Sequence, residues 1–161
     1  MKLMTVIALA AALLAGPALA HDESAATAEA VRAADMAFAR RAAEVGFARS
    51  FLEFMDEREG LLYGMDGPPT VGARAAFEAL GGDSPAGMTV EWAPTQAWGS
   101  KGGDMGVTVG TYRRIPKDTT RPVRTGRYVT VWRKNAAGEW KGLIDIGEND
   151  PVPVPTAPAA P

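Results

Sequence analysis

The stretch that decides the fold runs from residue 104 to residue 147. It reads Asp-Met-Gly-Val-Thr-Val-Gly-Thr-Tyr over 104–112, Thr-Gly-Arg-Tyr-Val-Thr-Val-Trp-Arg-Lys over 125–134, and Gly-Glu-Trp-Lys-Gly-Leu-Ile-Asp-Ile-Gly over 138–147. Met105, Val107 and Val109 alternate with Thr108, Gly110 and Tyr112; Val129 and Val131 alternate with Tyr128, Thr130 and Trp132. Successive side chains of a strand point to opposite faces, and β-branched and aromatic residues suit a pleated surface. Three antiparallel strands are therefore expected. Asn135 to Gly138 forms a short turn in which Gly supplies a positive φ, so the last two strands make a tight hairpin. A longer polar loop from Ile115 to Val123, broken by Pro116 and Pro122, joins the first two. Both faces of the middle strand carry apolar or aromatic residues. Both should then be covered, one by helices and the other by a second subunit.

Upstream of this stretch, Met88 to Trp98 reads as another long strand. Met88, Val90 and Trp92 alternate with Thr89 and Glu91. Pro94 cannot donate a ladder hydrogen bond, so it marks an edge or a bulge, and a bend there would curve the sheet. Gly99 to Gly103 is the turn into the strand of Asp104. Further upstream the period changes. From Ser24 or Thr27 to Val45, the residues Ala28, Val31, Ala34/Asp35, Phe38 and Ala42 recur at helical spacing, and Gly46 is the stop. A second helix covers Phe47 to Met55, with Phe47, Phe51, Phe54 and Met55 on its apolar face. A polar break at 56–60 leads to a short strand, Leu61 to Met65. Thr70 caps a third short helix, Val71 to Leu80. Helices first and a meander of strands last means α+β. The expected architecture is a cone-shaped, curved antiparallel sheet, of four long strands and a short one, packed against three N-terminal helices.

The ends of the chain are of another kind. Residues 1–20 read as a signal peptide: Lys2, an apolar run from Leu3 to Gly16, Pro17, and a small-x-small site at Ala18 to Ala20. The run is too short to span a bilayer. Cleavage leaves His21 as the mature N-terminus, with a mobile lead over 21–27. His21 is not Cys, so no lipid anchor is expected. Periplasmic or secreted localisation follows, with no membrane attachment in the mature form. Residues 149–161 form a Pro/Ala-rich tail, read as disordered. The chain of 161 residues suits one folded domain, here 28–148.

Composition excludes several chemistries. The chain has no cysteine, so disulfides, thiol nucleophiles and thiolate metal sites are out. The net charge of −2 offers no basic stripe for nucleic acid. The arginines at 113, 114, 121, 124 and 127 with Lys117 read as a solvated hairpin end. The single histidine, His21, could chelate copper through its amine and imidazole, but such sites want a second imidazole and there is none. The same shortage excludes a Ser-His-Asp set and clustered metal ligands. The loop 99–103 has Gly and Lys but no helix after it, so it cannot cradle phosphate.

A series of motifs runs through the whole domain: Gly46-Phe47, Phe51-Leu52, then 67–72 as Gly-Pro-Pro-Thr-Val-Gly, Trp92-Ala93-Pro94, Gly103 to Gly106, Gly110-Thr111-Tyr112, 126–134, 138–141 and Asp145-Ile146-Gly147. This series resembles the SnoaL-like members of the nuclear transport factor 2-like superfamily, in particular an exported bacterial branch. The resemblance spans residues 28–148, and its most specific part is Tyr128 to Lys134 followed by Trp140-Lys141. It implies a cone-shaped α+β barrel, often homodimeric through the sheet, with activities from isomerases and cyclases to non-catalytic binders. Fold of this kind says little about function by itself.

Three functions remain open on the sequence. The first is a small-molecule binder with no cofactor or metal and a small hydrophobic ligand. Its pocket would draw on Tyr63, Trp92, Tyr112, Tyr128, Trp132 and Asp145, with Phe38, Phe51 and Trp140 nearby. The second is a small isomerase, cyclase or hydrolyase using a carboxylate base, with Asp145 the first catalytic candidate. The third is a non-catalytic dimeric interaction module. Asp145 stands between Ile144 and Ile146, so a buried carboxylate there needs a partner. The plain alternative is a salt bridge to Arg127 or Arg133, or an exposed face shared with Lys141. Asp104 reads as a turn residue and Asp56 as the solvated end of the second helix.

Overall fold

The first helix begins at Ser24, inside the lead over 21–27 that was expected to be mobile, and buries Thr27. The computed structural model describes residues 22–64, 67–84 and 86–151. The expected signal peptide, His21, Met65 and most of the Pro/Ala-rich tail lie outside those residues. Helix α1 spans Ser24–Val45 and buries Thr27, Val31, Asp35, Phe38 and Ala42, one per turn on a single face. Gly46, at φ +92°, breaks it, and α2 (Phe47–Phe54) turns back with Ser50 and Phe51 buried. After these come β1 (Leu61–Tyr63), β2 (Thr70–Val71), α3 (Ala73–Ala79), β3 (Met88–Gly99), β4 (Met105–Pro116), β5 (Arg124–Lys134) and β6 (Trp140–Asn149).

The strands form one curved six-stranded sheet in the order β2-β1-β6-β5-β4-β3. Every pairing is antiparallel except β1 with β6, which is parallel. The fold class is α+β as expected, with one correction: the sheet has two short strands, not one. Thr70 and Val71 pair with β1 instead of opening α3, which starts at Ala73 beyond Gly72 at φ +90°. The β3–β4 ladder shifts register between Pro94 and Gln96, where the proline nitrogen has no hydrogen to give. Asn149, expected in the tail, is the last residue of β6.

Register fixes which side chains face the helices. Cross-strand partners share a face. Thr108, Thr130, Asp145 and Leu62 stand in one such row across β4, β5, β6 and β1. Trp92, Tyr112 and Gly126 stand in another. Phe38 of α1 lies at the centre of the core beneath this face. Its ring meets Phe51 at 5.1 Å and Trp92 at 4.9 Å edge-on, and stacks on Phe54 at 5.0 Å. Edge-to-face geometry of this kind suits the ring quadrupoles. Two glycines on the inner face make room for rings. A Cβ at Gly110 would run into the Tyr128 ring, and one at Gly126 into the Tyr112 ring, so both tyrosines lie across bare backbone. The opposite face of the sheet carries Trp98, Val129 and Ile146, which are 53%, 38% and 43% exposed.

Candidate functional site

The aromatic residues of the inner face do not fill the cone. A pocket of about 100 Å³ remains, walled by Phe38 of α1, Phe47 and Phe51 of α2, Trp92 of β3, Tyr112 of β4 and Tyr128 of β5. Leu62, Tyr63, Leu80, Val90, Arg114 and Gly147 complete the wall, and Asp145 of β6 is its carboxylate.

Asp145 accepts a hydrogen bond from the Thr130 hydroxyl at 2.8 Å, its direct cross-strand neighbour. Neither expected arginine reaches it. Arg133 pairs with Asp56 at 3.1 Å and with Glu59, and Arg127 pairs with Asp150 at 3.7 Å. Lys141 turns to Glu139 and to the Glu53 carbonyl. Asp145 therefore has no ion pair among the described residues. Burial pushes its carboxyl up to about 6, the Thr130 hydrogen bond pulls the other way, and the charge of Asp35 adds to the rise.

Asp35 is the site residue that sequence reasoning passed over. It was placed on the apolar stripe of α1 and given no role, yet it is fully buried. Its Oδ1 accepts from Trp92 Nε1 at 2.8 Å and its Oδ2 from the Tyr128 hydroxyl at 2.9 Å. Thr108 is its third partner. The polarity of that contact is forced: Trp132 Nε1 can only donate, and it donates to Thr108 Oγ1 at 2.9 Å, so the Thr108 hydrogen is left for Asp35. Burial raises the Asp35 pKa and its three donors hold it back. The same burial, with the adjoining Asp35 charge, raises the Tyr128 hydroxyl. A carboxylate on the apolar stripe of an amphipathic helix was the available signal.

The remaining expected residues separate. Trp92, Tyr112, Tyr128, Tyr63 and Asp145 line the pocket. Trp132 does not: its ring is wholly buried behind the wall, held on Thr108, where it is part of the core. Trp140 lies outside the wall as well, under the Lys134 ammonium at 5.0 Å. The Tyr112 hydroxyl donates to Asn149 Oδ1 at 2.8 Å. Asp104 is a turn residue bonded by the Ser100 hydroxyl at 2.7 Å. Asp56 accepts from the Glu59 and Arg58 amides, which with Arg133 hold its carboxyl below the usual range. Both are far from the row of Asp145 in function: each closes a local turn. Among the described residues no cluster of three His, Asp or Glu side chains could hold a metal ion.

Comparison with solved structures places the architecture. A ketosteroid isomerase-like protein from Erwinia carotovora atroseptica superposes with a TM-score of 0.62, at 17% identity, over 76% of this chain and 95% of its own. A nuclear transport factor 2-like superfamily protein from Salmonella enterica gives 0.61 at 12% identity, over 84% and 96%. A nuclear transport factor 2-like protein with a cystatin-like fold, from Novosphingobium aromaticivorans, gives 0.59 at 16%, over 76% and 81%. At these identities the likeness is one of fold. No family model matches the chain, and no curated protein matches it.

Proposed function

We propose that this chain, built on the nuclear transport factor 2-like fold, is an exported, homodimeric small-molecule-binding protein. Its ligand enters the aromatic pocket and offers a hydrogen-bond donor to Asp145. One observation carries the reading. A carboxylate stands in an aromatic wall with a single donor among the described residues, the Thr130 hydroxyl, and keeps partial access to solvent. A carboxylate accepts at about four lone-pair positions, so Asp145 has acceptor capacity that the protein leaves to water or a ligand. Apolar contact with the rings then adds roughly 25 cal/mol per Å² of ligand surface removed from water.

The other polar groups of the wall favour binding over proton transfer. Tyr128 and Trp92 donate into Asp35, and Tyr112 donates to Asn149. The donors that would stabilise an oxyanion are thus already engaged. A carboxylate-base isomerase or hydrolyase is the second reading. It is favoured by the Asp145 carboxyl at about 6, close to what a general base at neutral pH needs. A structural neighbour described as ketosteroid isomerase-like lends it weight. Export is supported by the signal-like composition of residues 1–20, and the dimer by the exposed apolar face of the sheet.

Native mass spectrometry of the protein recovered from a periplasmic extract tests the reading. The expected species is a dimer of chains beginning at His21, carrying added small-molecule mass. Gly147→Leu is the control. A Cβ at Gly147 has ordinary contact distance to the Tyr112 ring, 3.4 Å, and the rest of a leucine would occupy the pocket. The added mass should disappear in that variant while the protein stays folded. Mass that survives the plug would sink the pocket as its site.

A further inference from the structure

We infer that the ligand of this pocket is an apolar amine bound as its ammonium ion, with the nitrogen on the Asp145 carboxylate and the rest among the rings. The inference rests on the binding reading above and names the charge of the ligand. It starts from an imbalance within the wall. The single donor to Asp145 among the described residues is a neutral hydroxyl, that of Thr130, and Asp145 has no ion pair there. The charge that acts on it is that of a second carboxylate, Asp35. A desolvated carboxylate without a counter-charge is costly, and a cation brought in by a ligand offsets that cost.

Asp35 stands behind the wall and adds to the same field. Its three partners, Trp92, Tyr128 and Thr108, all donate to it, which fits the ionised form. Tyr128 feels both carboxylates. Trp92 and Tyr128 are also wall residues, and a ring whose N–H or O–H donates to a carboxylate is polarised toward greater electron density. Phe38, Phe47, Phe51 and Tyr112 supply the other rings. A cation desolvated among aromatic rings is attracted by their quadrupoles.

The cations already near the wall are committed elsewhere. Arg114 is its cationic member. The Arg114 guanidinium lies over the Tyr112 ring at 5.4 Å, where Glu148 and Asp150 also act, and it is engaged and not free. Arg32 of α1, whose charge reaches Tyr128, bonds the Pro94 carbonyl at 3.4 Å and pairs with Glu29 at 3.9 Å. Neither pairs with Asp145. An anionic ligand would meet two carboxylates at this end of the pocket, and a neutral alcohol would leave both uncompensated. An ammonium ion answers the charge and supplies the donor.

Three probes of similar shape test this on the full chain by ligand-observed NMR titration: benzylammonium, benzyl alcohol and benzoate. At pH 8 the wild type should bind benzylammonium at least tenfold more tightly than benzyl alcohol, and should not bind benzoate. Gly147→Leu should bind none of them. In Asp145→Asn the Kd of benzylammonium should rise at least tenfold while that of benzyl alcohol stays within threefold. Lowering the pH to 5 should weaken benzylammonium binding to the wild type several-fold, since the Asp145 carboxyl titrates at about 6 and the amine keeps its charge. The pH series needs no variant, so the test stands even if Asp145→Asn fails to fold. Benzyl alcohol or benzoate binding as tightly as benzylammonium, with all binding lost in Gly147→Leu, overturns the inference and upholds the pocket. So does an ammonium preference that survives Asp145→Asn or stays constant down to pH 5. If no probe binds the wild type, or binding survives Gly147→Leu, the pocket reading fails and the inference falls with it.

Discussion

Asp145 and Thr130 face each other across two strands, and that pairing decides what the carboxyl does to stability. The folded carboxyl titrates near 6, above the roughly 3.9 of an unfolded Asp. The folded state therefore binds the proton more tightly than the unfolded one. The contribution of Asp145 is most favourable below about pH 4 and is lost as pH rises through 6. After allowance for water at the pocket wall, ionisation costs about 2 kcal/mol. Asp145→Asn should be more stable than the wild type by about that amount at pH 8, with the gap closing toward pH 4. Urea titrations at several pH values read it directly. A gap that does not change with pH would mean that the carboxyl is not desolvated. The sequence reading had allowed for a salt bridge, under which the same variant loses stability. Adjacency along the strand could not reveal that Arg133 is taken by Asp56 and Glu59.

At the scale of elements, Asp35 fastens α1 to the sheet. One side chain of the helix collects hydrogen bonds from β3, β4 and β5 through Trp92, Thr108 and Tyr128. Asp35→Ala leaves three buried donors with no acceptor, each costing about 1–3 kcal/mol, so a loss of about 4 kcal/mol is expected. Asp35→Asn should cost less, since its amide oxygen still serves Trp92 and its amino group can donate to the tyrosine oxygen. Chemical denaturation of the pair gives the comparison; equal small losses would mean that α1 is held by its apolar stripe alone. The stripe itself was legible, because period 3.6 marks an inward face without reference to anything distant. The role of Asp35 was not, because its donors stand 57 and 93 residues away. The long strands were legible for the same local reason. Strand β2 was not, since two residues, Thr70 and Val71, carry no period.

For the whole molecule, alternation announced that the sheet has two faces but not which one meets the helices. Register shifts at Pro94/Gln96 and at Val131/Trp132 reset the parity partway along the sheet. That is why Trp98, an even number of residues from Trp92, lies on the outer face. Trp132 keeps the inner-face parity of Tyr128 and misses the pocket because it stands further along β5, buried against Thr108. On the outer face, Val129 and Ile146 are cross-strand partners, and Trp98 is half-exposed nearby. A second copy of the chain is the proposed cover. Ile146→Lys should convert the dimer to a monomer in light scattering after size exclusion, without changing the far-ultraviolet circular dichroism. A wild type that already elutes as a monomer would remove the dimer from the proposal. The strand order has one more consequence. β6, the last of the described strands in chain order, is inserted between β1 and β5, which precede it. No part of the ribosome-bound chain can close the sheet until residues 140–149 emerge, and loop closure over that separation is slow. Until then the β3–β5 meander keeps an unpaired edge at β5, and the β1–β2 pair has no strand to join.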